Sequence, residues 1–164
     1  MKKAKFLIVT ILLLVLFTSC KKEDPTEEII DVFTVELEVN ETEFEIENNQ
    51  VIELEDPYEL GFHVKNNTSK SIRIKLTVVS LQGNGNGVEL CFSQCRSNTT
   101  EGLIDIRNFT SGEKTTTNQA HLNPGDDFEE SLTVEFKLNQ VDSEGEDVVD
   151  GKEVSFTYKY IAPK

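Results

Sequence analysis

The sequence predicts an all-β fold, one domain of about seven to nine short strands packed as two antiparallel sheets. Three observations carry that expectation. Beyond residue 31, apolar side chains recur at every second position in segment after segment. Stretches rich in Asn, Gly and Pro, with the chemistry of tight turns, separate those segments. No stretch of ten or more residues combines a 3.6-residue apolar period with helix caps, so the helical crossovers of a parallel sheet are missing.

The strands follow in order. In VFTVELEVN, Phe33, Val35, Leu37 and Val39 share one face, and Thr34, Glu36 and Glu38 the other. Shorter alternating runs cover Phe44–Ile46, Val51–Leu54 and Leu60–Phe62–Val64; the last puts His63 on the solvent side. After the turn at 66–70 comes the clearest strand, SIRIKLTVVSL, with Ile72, Ile74, Leu76 and Val78 inward and Arg73 and Lys75 outward. The GNGNG reversal at 83–87 leads to Val88, Leu90 and Phe92 and into CFSQC. A weaker strand holds Leu103–Ile106. His121, expected to be exposed, precedes the Pro-Gly turn NPGDD at 123–127. SLTVEFKLN then aligns Leu132, Val134, Phe136 and Leu138, and EVSFTYKYI aligns Val154, Phe156, Tyr158 and Tyr160. So many short strands in about 130 residues predict an immunoglobulin-like β-sandwich, with a jelly roll as the rival. There is no internal repeat, so residues 32–164 form a single domain.

The first nineteen residues are an address, not an element of the fold. Lys2, Lys3 and Lys5 precede the apolar run Phe6–Phe17. That run is shorter than the roughly 20 residues a spanning helix needs and has the length of a secretory signal core. Thr18, Ser19 and Cys20 follow. The segment LFTSCKKEDP, residues 16–25, resembles the lipoprotein signals of Bacteroidota, with Phe17 where Leu is usual and Leu16 beside it. The resemblance implies cleavage before Cys20, a diacylglyceryl group on its sulfur and an acyl chain on the new amine. The bland alternative is an ordinary cleaved signal that leaves Cys20 a thiol. Residues 20–31, charged and without an apolar face, read as a lipidated flexible tether. Lys22, Glu23 and Asp24 resemble the signal that sends such lipoproteins to the outer face of the outer membrane; the periplasmic face is the alternative. Several acyl chains, at roughly 0.8 kcal/mol per buried CH₂, anchor a protein durably without spanning the bilayer.

Without residues 1–19 the chain keeps 145 residues, with 13 basic and 30 acidic side chains and a net charge of −17. That balance argues against nucleic acid as a partner and against electrostatic docking on an anionic bilayer. Of the 30 acids, 15 lie between Glu23 and Glu59, and those from Glu36 to Glu45 alternate with apolar residues and mark an outer face. The excess is expected to hold the domain off an anionic cell surface.

Lipidating Cys20 leaves Cys91 and Cys95 as an even pair, most simply a disulfide in an exported protein. An extended strand would separate their Cα atoms by about 13 Å, so the bond requires the chain to turn at Phe92–Gln94. Closing so short a loop stabilises by only about 2 kcal/mol, which makes the bond a local corner brace. The competing reading is zinc, with Cys91, Cys95, His63 and His121 as ligands.

The order of these features resembles the small immunoglobulin-like modules of secreted and surface proteins of Bacteroidota. The matching positions are the turn Asn66–Asn67–Thr68, the pair Cys91 and Cys95, and the turn Pro124–Gly125–Asp126 before DxFxxSLTVEF. They span residues 60–162; Ser93 and Gln94 replace the aromatic or glycine positions usual between the cysteines. The resemblance implies a non-catalytic structural or adhesive module and transfers no active-site residue.

The residues agree with that implication. His63 and His121 belong to no HExxH or Ser–His–Asp pattern, and GxSxG and the P-loop motif are absent. With no Trp and three Tyr, a sugar-stacking platform is poorly supported. The most suggestive cluster is DSEGEDVVDGKE, where Asp142, Glu144, Glu146, Asp150 and Glu153 fall at positions 1, 3, 5, 9 and 12 of a calcium-loop spacing. Asp147 stands where that loop needs glycine, and strands replace the flanking helices, so a solvated acidic loop is the plain alternative. Sequons at Asn40, Asn66, Asn67, Asn98 and Asn108 report turn composition. The expected function is therefore a surface lipoprotein serving as a structural or protein-binding module, without cofactor and not an enzyme. A calcium- or carbohydrate-binding module using residues 142–153 is the alternative. Loops 83–87, 93–102 and 109–119 are the expected contact surfaces.

Overall fold

The alternating segments form strands where their pattern places them. The computed structural model describes residues 31–39, 42–54, 60–125 and 129–162. The signal segment, Cys20, the tether up to residue 30, Asn40 and Asp126 lie outside the described residues. Eleven strands are present among those described: β1 (Phe33–Val39), β2 (Thr42–Glu45), β3 (Gln50–Leu54), β4 (Leu60–Asn66), β5 (Ile72–Gln82) and β6 (Asn86–Cys91), then β7 (Cys95–Asn98), β8 (Ile104–Phe109), β9 (His121–Asn123), β10 (Leu132–Val141) and β11 (Glu153–Tyr160). A single 3₁₀ turn occupies Thr117–Gln119. No helix among these residues is long and apolar enough to cross a membrane.

One sheet has the order β2-β1-β4-β9-β6-β7 and the other β3-β11-β10-β5-β8. Within them, β1-β4-β9-β6 and β11-β10-β5 form the four- and three-stranded frame of an immunoglobulin-like sandwich, with its strands in the chain order that frame requires. The fold class read from the sequence holds. The strand count exceeds the expected range by β7 and β9. All four residues of β7 are exposed and β9 has only three residues, so neither carries a readable apolar period. One pair departs from the antiparallel expectation: β3 runs parallel to β11, with Phe156 opposite Gln50 and Tyr160 opposite Leu54. The crossing that brings it there is pinned where Asn49 N donates to Ser155 O at 2.6 Å and Ser155 N to Asn48 Oδ1 at 2.7 Å.

The core forms where the inward faces meet. Phe33, Val35 and Leu37, then Ile72, Ile74, Leu76 and Val78, Leu132, Val134, Phe136 and Leu138, and Val154, Phe156, Tyr158 and Tyr160 are all buried, as their alternation predicts. At the centre, the Phe62 ring lies 6.0 Å from Phe156, 6.3 Å from Phe136 and 6.4 Å from Phe92. Phe92 continues the chain of rings to Phe109 at 6.0 Å. Desolvation in this core disfavours the phenolate and raises the pKa of the Tyr158 hydroxyl far above its ordinary range.

The weaker strand expected at Leu103–Ile106 is β8, and it turns a largely polar set inward. Ile104 points out, 52% exposed, while Asp105 is 6% exposed and Phe109 is fully buried. The reason is local: inward-facing Asp105, Arg107 and Phe109 all contact the 92–94 corner. Both histidines are also buried, at 5% for His63 and 8% for His121, against the expected exposure. Each does lie on the outer face of its sheet, but the segment from Glu113 to Ala120 lies alongside β4. Thr115 N donates to Val64 O at 3.0 Å and Phe62 N to Ala120 O at 3.0 Å. Gly61 allows this approach, since a Cβ there would run into the Thr117 side chain.

We expect Phe62→Ala to lower the unfolding free energy by about 3–5 kcal/mol, because it empties the centre of the ring cluster. Phe44→Ala, at a half-exposed position, should change it by less than about 1 kcal/mol. Urea unfolding of the two variants checks the contrast, and equal losses would contradict it.

Candidate functional site

The corner at Phe92–Gln94 is built from the hairpin of β6 and β7. Cys91 and Cys95 face each other at its end, 4.0 Å apart at Cα, and are joined as a disulfide. The chain turns through the three residues between them, as the pairing required. The opposite sheet then holds the corner. Asp105 accepts from the Ser93 amide at 2.8 Å and the Gln94 amide at 3.3 Å, and its second oxygen accepts from the Ser93 hydroxyl. Arg107 Nη1 donates to Phe92 O at 3.0 Å, and its guanidinium lies 5.2 Å over the Phe109 ring. Three alternate residues of one strand thus fix the backbone, the turn amides and the ring of one corner.

Beside the corner lies an open cleft of about 580 Å³. Its walls include Gln94, Ile106, Asn108, Asn118 and Gln119 around the disulfide. Two of the expected contact loops, 93–102 and 109–119, therefore converge. The third, 83–87, lies at the other end of the hairpin, where Thr99 N donates to Gly85 O at 3.1 Å.

The strap that brings Asn118 and Gln119 to the cleft is held by a repeated arrangement. His63 Nδ1 lies 2.8 Å from Thr115 O and its Nε2 3.1 Å from Glu38 Oε2 and 3.4 Å from Glu43 Oε1. His121 Nδ1 lies 3.0 Å from Thr117 O and its Nε2 3.3 Å from Glu89 Oε1. Thr117 Oγ1 donates to Glu38 at 2.6 Å, and Lys114 Nζ lies 2.7 Å from both Glu36 and Glu43. Glu113 accepts from the Thr110 amide at 2.8 Å and from Arg107 at 3.2 Å.

The acidic loop is organised around cations of β5 and β10. Asp142 Oδ1 accepts from the amides of Glu144 at 2.9 Å and Glu146 at 3.0 Å, so the first acid closes its own turn. Arg73 donates to the carbonyls of Asp142 and Ser143. Asp147 pairs with Lys75 and accepts from Asn139 Nδ2 at 2.6 Å, and Glu153 pairs with Lys137 at 2.8 Å. Glu144, Glu146 and Asp150 are exposed. Among the described residues, the one group of three or more metal-ligating side chains with donor atoms within 4.8 Å of one another is Glu89, Cys91 and Cys95. Of the residues first considered for zinc, Cys91, Cys95 and His121 come together, while His63 belongs to the Glu38 cluster. Of the sequon asparagines, Asn66 ends β4 and braces the turn after it, its Nδ2 donating to Lys70 O at 2.7 Å and Thr110 O at 2.8 Å, whereas Asn98 and Asn108 lie in β7 and β8.

Asp105, Arg107 and Glu89 were missed from the sequence. The alternation of Asp105, Arg107 and Phe109 is the sequence signal for their shared face, and the isoleucines between them obscure it.

No family model matches the chain, and no curated protein matches it. Among solved structures, the chain is similar to the N-terminal domain of PorA, at 19% identity and a TM-score of 0.40, covering 77% of this chain and 96% of that one. It is also similar to the seventh PapD-like domain of human CEP192, at 6% identity and a TM-score of 0.45, covering 82% and 87%. The class its own strand order defines is the immunoglobulin-like β-sandwich.

Two predictions follow from these contacts. Asp105→Ala should lower stability by about 2 kcal/mol, since it leaves turn amides without a buried acceptor. It should also speed reduction of Cys91–Cys95 by a dithiol, which thiol alkylation followed by mass spectrometry would show. The second concerns pH. Glu38 is held below the usual carboxylate range by the Thr117 hydroxyl and then His63, and Glu43 by Lys114. Glu113 is held down by the Thr110 amide and Asp147 by Lys75 and then Asn139. Carboxyls depressed in the folded state contribute stability above their unfolded values and lose it as pH falls through the folded ones. Melting temperature should thus fall as acid protonates this set, and Glu38→Gln should reduce that fall. A melting curve insensitive to acid would contradict the assignment.

Proposed function

We propose that this chain is a lipid-anchored outer-membrane protein, held at Cys20 and standing off the cell surface on its acidic tether. Its immunoglobulin-like domain acts as a non-catalytic module that binds a protein partner. The observation that carries the binding reading is the cleft at the disulfide corner. Its frame is fixed by a covalent bond, Asp105 and Arg107, while Gln94, Asn118 and Gln119 among its lining residues carry amide side chains. Primary amides both donate and accept, which suits a peptide backbone. Alongside runs β8, an edge strand paired only with β5 among the described residues. Such an edge is a ready template for an added strand. The non-catalytic reading is supported by the commitments of the histidines, each set between a carbonyl and a carboxylate.

A photocrosslinking amino acid placed at Gln94 or Asn118 on intact cells should capture one envelope protein. The same residue at Val51 or Ile161, exposed elsewhere, should not. Equal capture at all four positions would reject the cleft as the contact, and a product containing only this chain would replace the partner with a second copy. Cys20→Ala should abolish labelling by a fatty-acid analogue and release the chain from the membrane fraction. Protease access to intact cells reports the exposed face.

A further inference from the structure

Three neighbouring strands bring unlike ligand chemistry into one row on the outer face of their sheet. In register, Cys95 of β7 lies opposite Cys91 of β6, and Cys91 lies opposite His121 of β9. Glu89 is two residues from Cys91 on the same face, and its carboxylate and the two sulfurs lie within 4.8 Å of one another. His121 Nε2 is 3.3 Å from that carboxylate. Its Nδ1, 3.0 Å from Thr117 O, is placed to donate to that carbonyl, so an ion beside Glu89 would take Nε2 as its imidazole ligand in place of the present contact between Nε2 and Glu89.

We propose that reduction of the Cys91–Cys95 disulfide opens a zinc site whose ligands are Cys91, Cys95, His121 and Glu89. Two thiolates, an imidazole and a carboxylate are a four-coordinate zinc set, and the orienting carbonyl behind the imidazole is the outer support such sites use. The oxidised pair offers no thiolate, so the site exists only in the reduced protein. The reductant is a dithiol: it supplies two electrons and two protons, the S–S bond breaks to two thiols, and the dithiol leaves as its own disulfide. Zinc then displaces the two thiol protons to solvent. Cys95 is exposed and gives the reductant access, while Cys91 is 2% exposed and lies against the cleft wall. His63 lies opposite Glu36 of β1 rather than opposite Cys91 and takes no part.

The test uses the full chain in detergent with Cys20→Ser throughout, so that Cys91 and Cys95 are its remaining thiols. Cobalt titration with and without a dithiol-free phosphine reductant reads thiolate charge-transfer absorption, and zinc competition against a chromophoric chelator reads affinity. The reduced protein should bind one zinc at least about 100-fold more tightly than the oxidised protein. His121→Asn and the exposed-site variant Glu89→Gln should each weaken binding about 10-fold or more. His63→Gln should leave it unchanged. Equal binding by reduced and oxidised protein would overturn the proposal. So would undiminished zinc affinity in both His121→Asn and Glu89→Gln, which would mark simple chelation by two thiols.

Discussion

The contact on which the rest depends is the packing of Phe62 against Phe92, Phe136 and Phe156. Many immunoglobulin domains lock their two sheets with a buried disulfide. Here the described cystine lies within one sheet, so the facing of the two layers rests on apolar burial. Phe62 comes from one sheet, while Phe136 and Phe156 come from the other, 5.2 Å apart at their ring centres. Tilted and edge-on pairs of this kind add about 0.5–1.5 kcal/mol each beyond their area. Because Phe92 belongs to the same set, the position of the corner is tied to the centre of the core. The cleft inherits its shape from the deepest packing in the molecule.

That linkage explains why a disulfide closing so short a loop is worth having. Its entropic contribution is small. What it does is end β6 and β7 at a defined residue pair, so that the turn amides of Ser93 and Gln94 meet Asp105. The carboxylate of Asp105 is nearly buried, and leaving it without donors would be costly. Disulfide, aspartate and arginine therefore depend on one another: the bond shapes the turn, the turn supplies donors, and Arg107 engages the preceding carbonyl. Such mutual dependence gives a braced rim beside an open cleft.

The long frame strands were legible because one face meets the core and the other meets water, so period two appears directly in β1, β5, β10 and β11. The CFSQC turn was legible because disulfide geometry excludes an extended path. Elsewhere a different force decided the face. In β8 the pull of the corner on Asp105 and Arg107 outweighs the burial of Ile104, and hydrophobicity alone reads the strand backwards. His63 and His121 sit on polar faces, as alternation says, but a strap more than fifty residues away from His63 covers them. No local pattern reports cover supplied by distant chain. The candidate zinc set had the same origin: two cysteines and one histidine were visible, and only strand register separates His121 from His63 and adds Glu89.

The charge of the domain takes on a different meaning in this light. Glu36, Glu38 and Glu43 alternate with apolar residues and read as a bare acidic face. In the fold they close around Lys114, His63 and Thr117, and burial at Lys114 is outweighed by its ion pairs, which raise its proton affinity. Part of the negative excess on this face is thus internal wiring that fastens the strap to β1 and β2. The acids of the 142–153 loop divide in the same way, with Asp142 closing its turn while Glu144, Glu146 and Asp150 meet water. A net charge therefore overstates the field such a surface projects. Any standing-off from an anionic surface draws chiefly on the exposed loop acids and the acid-rich tether, because Lys114 offsets part of the charge that Glu36 and Glu43 place on the outer sheet face.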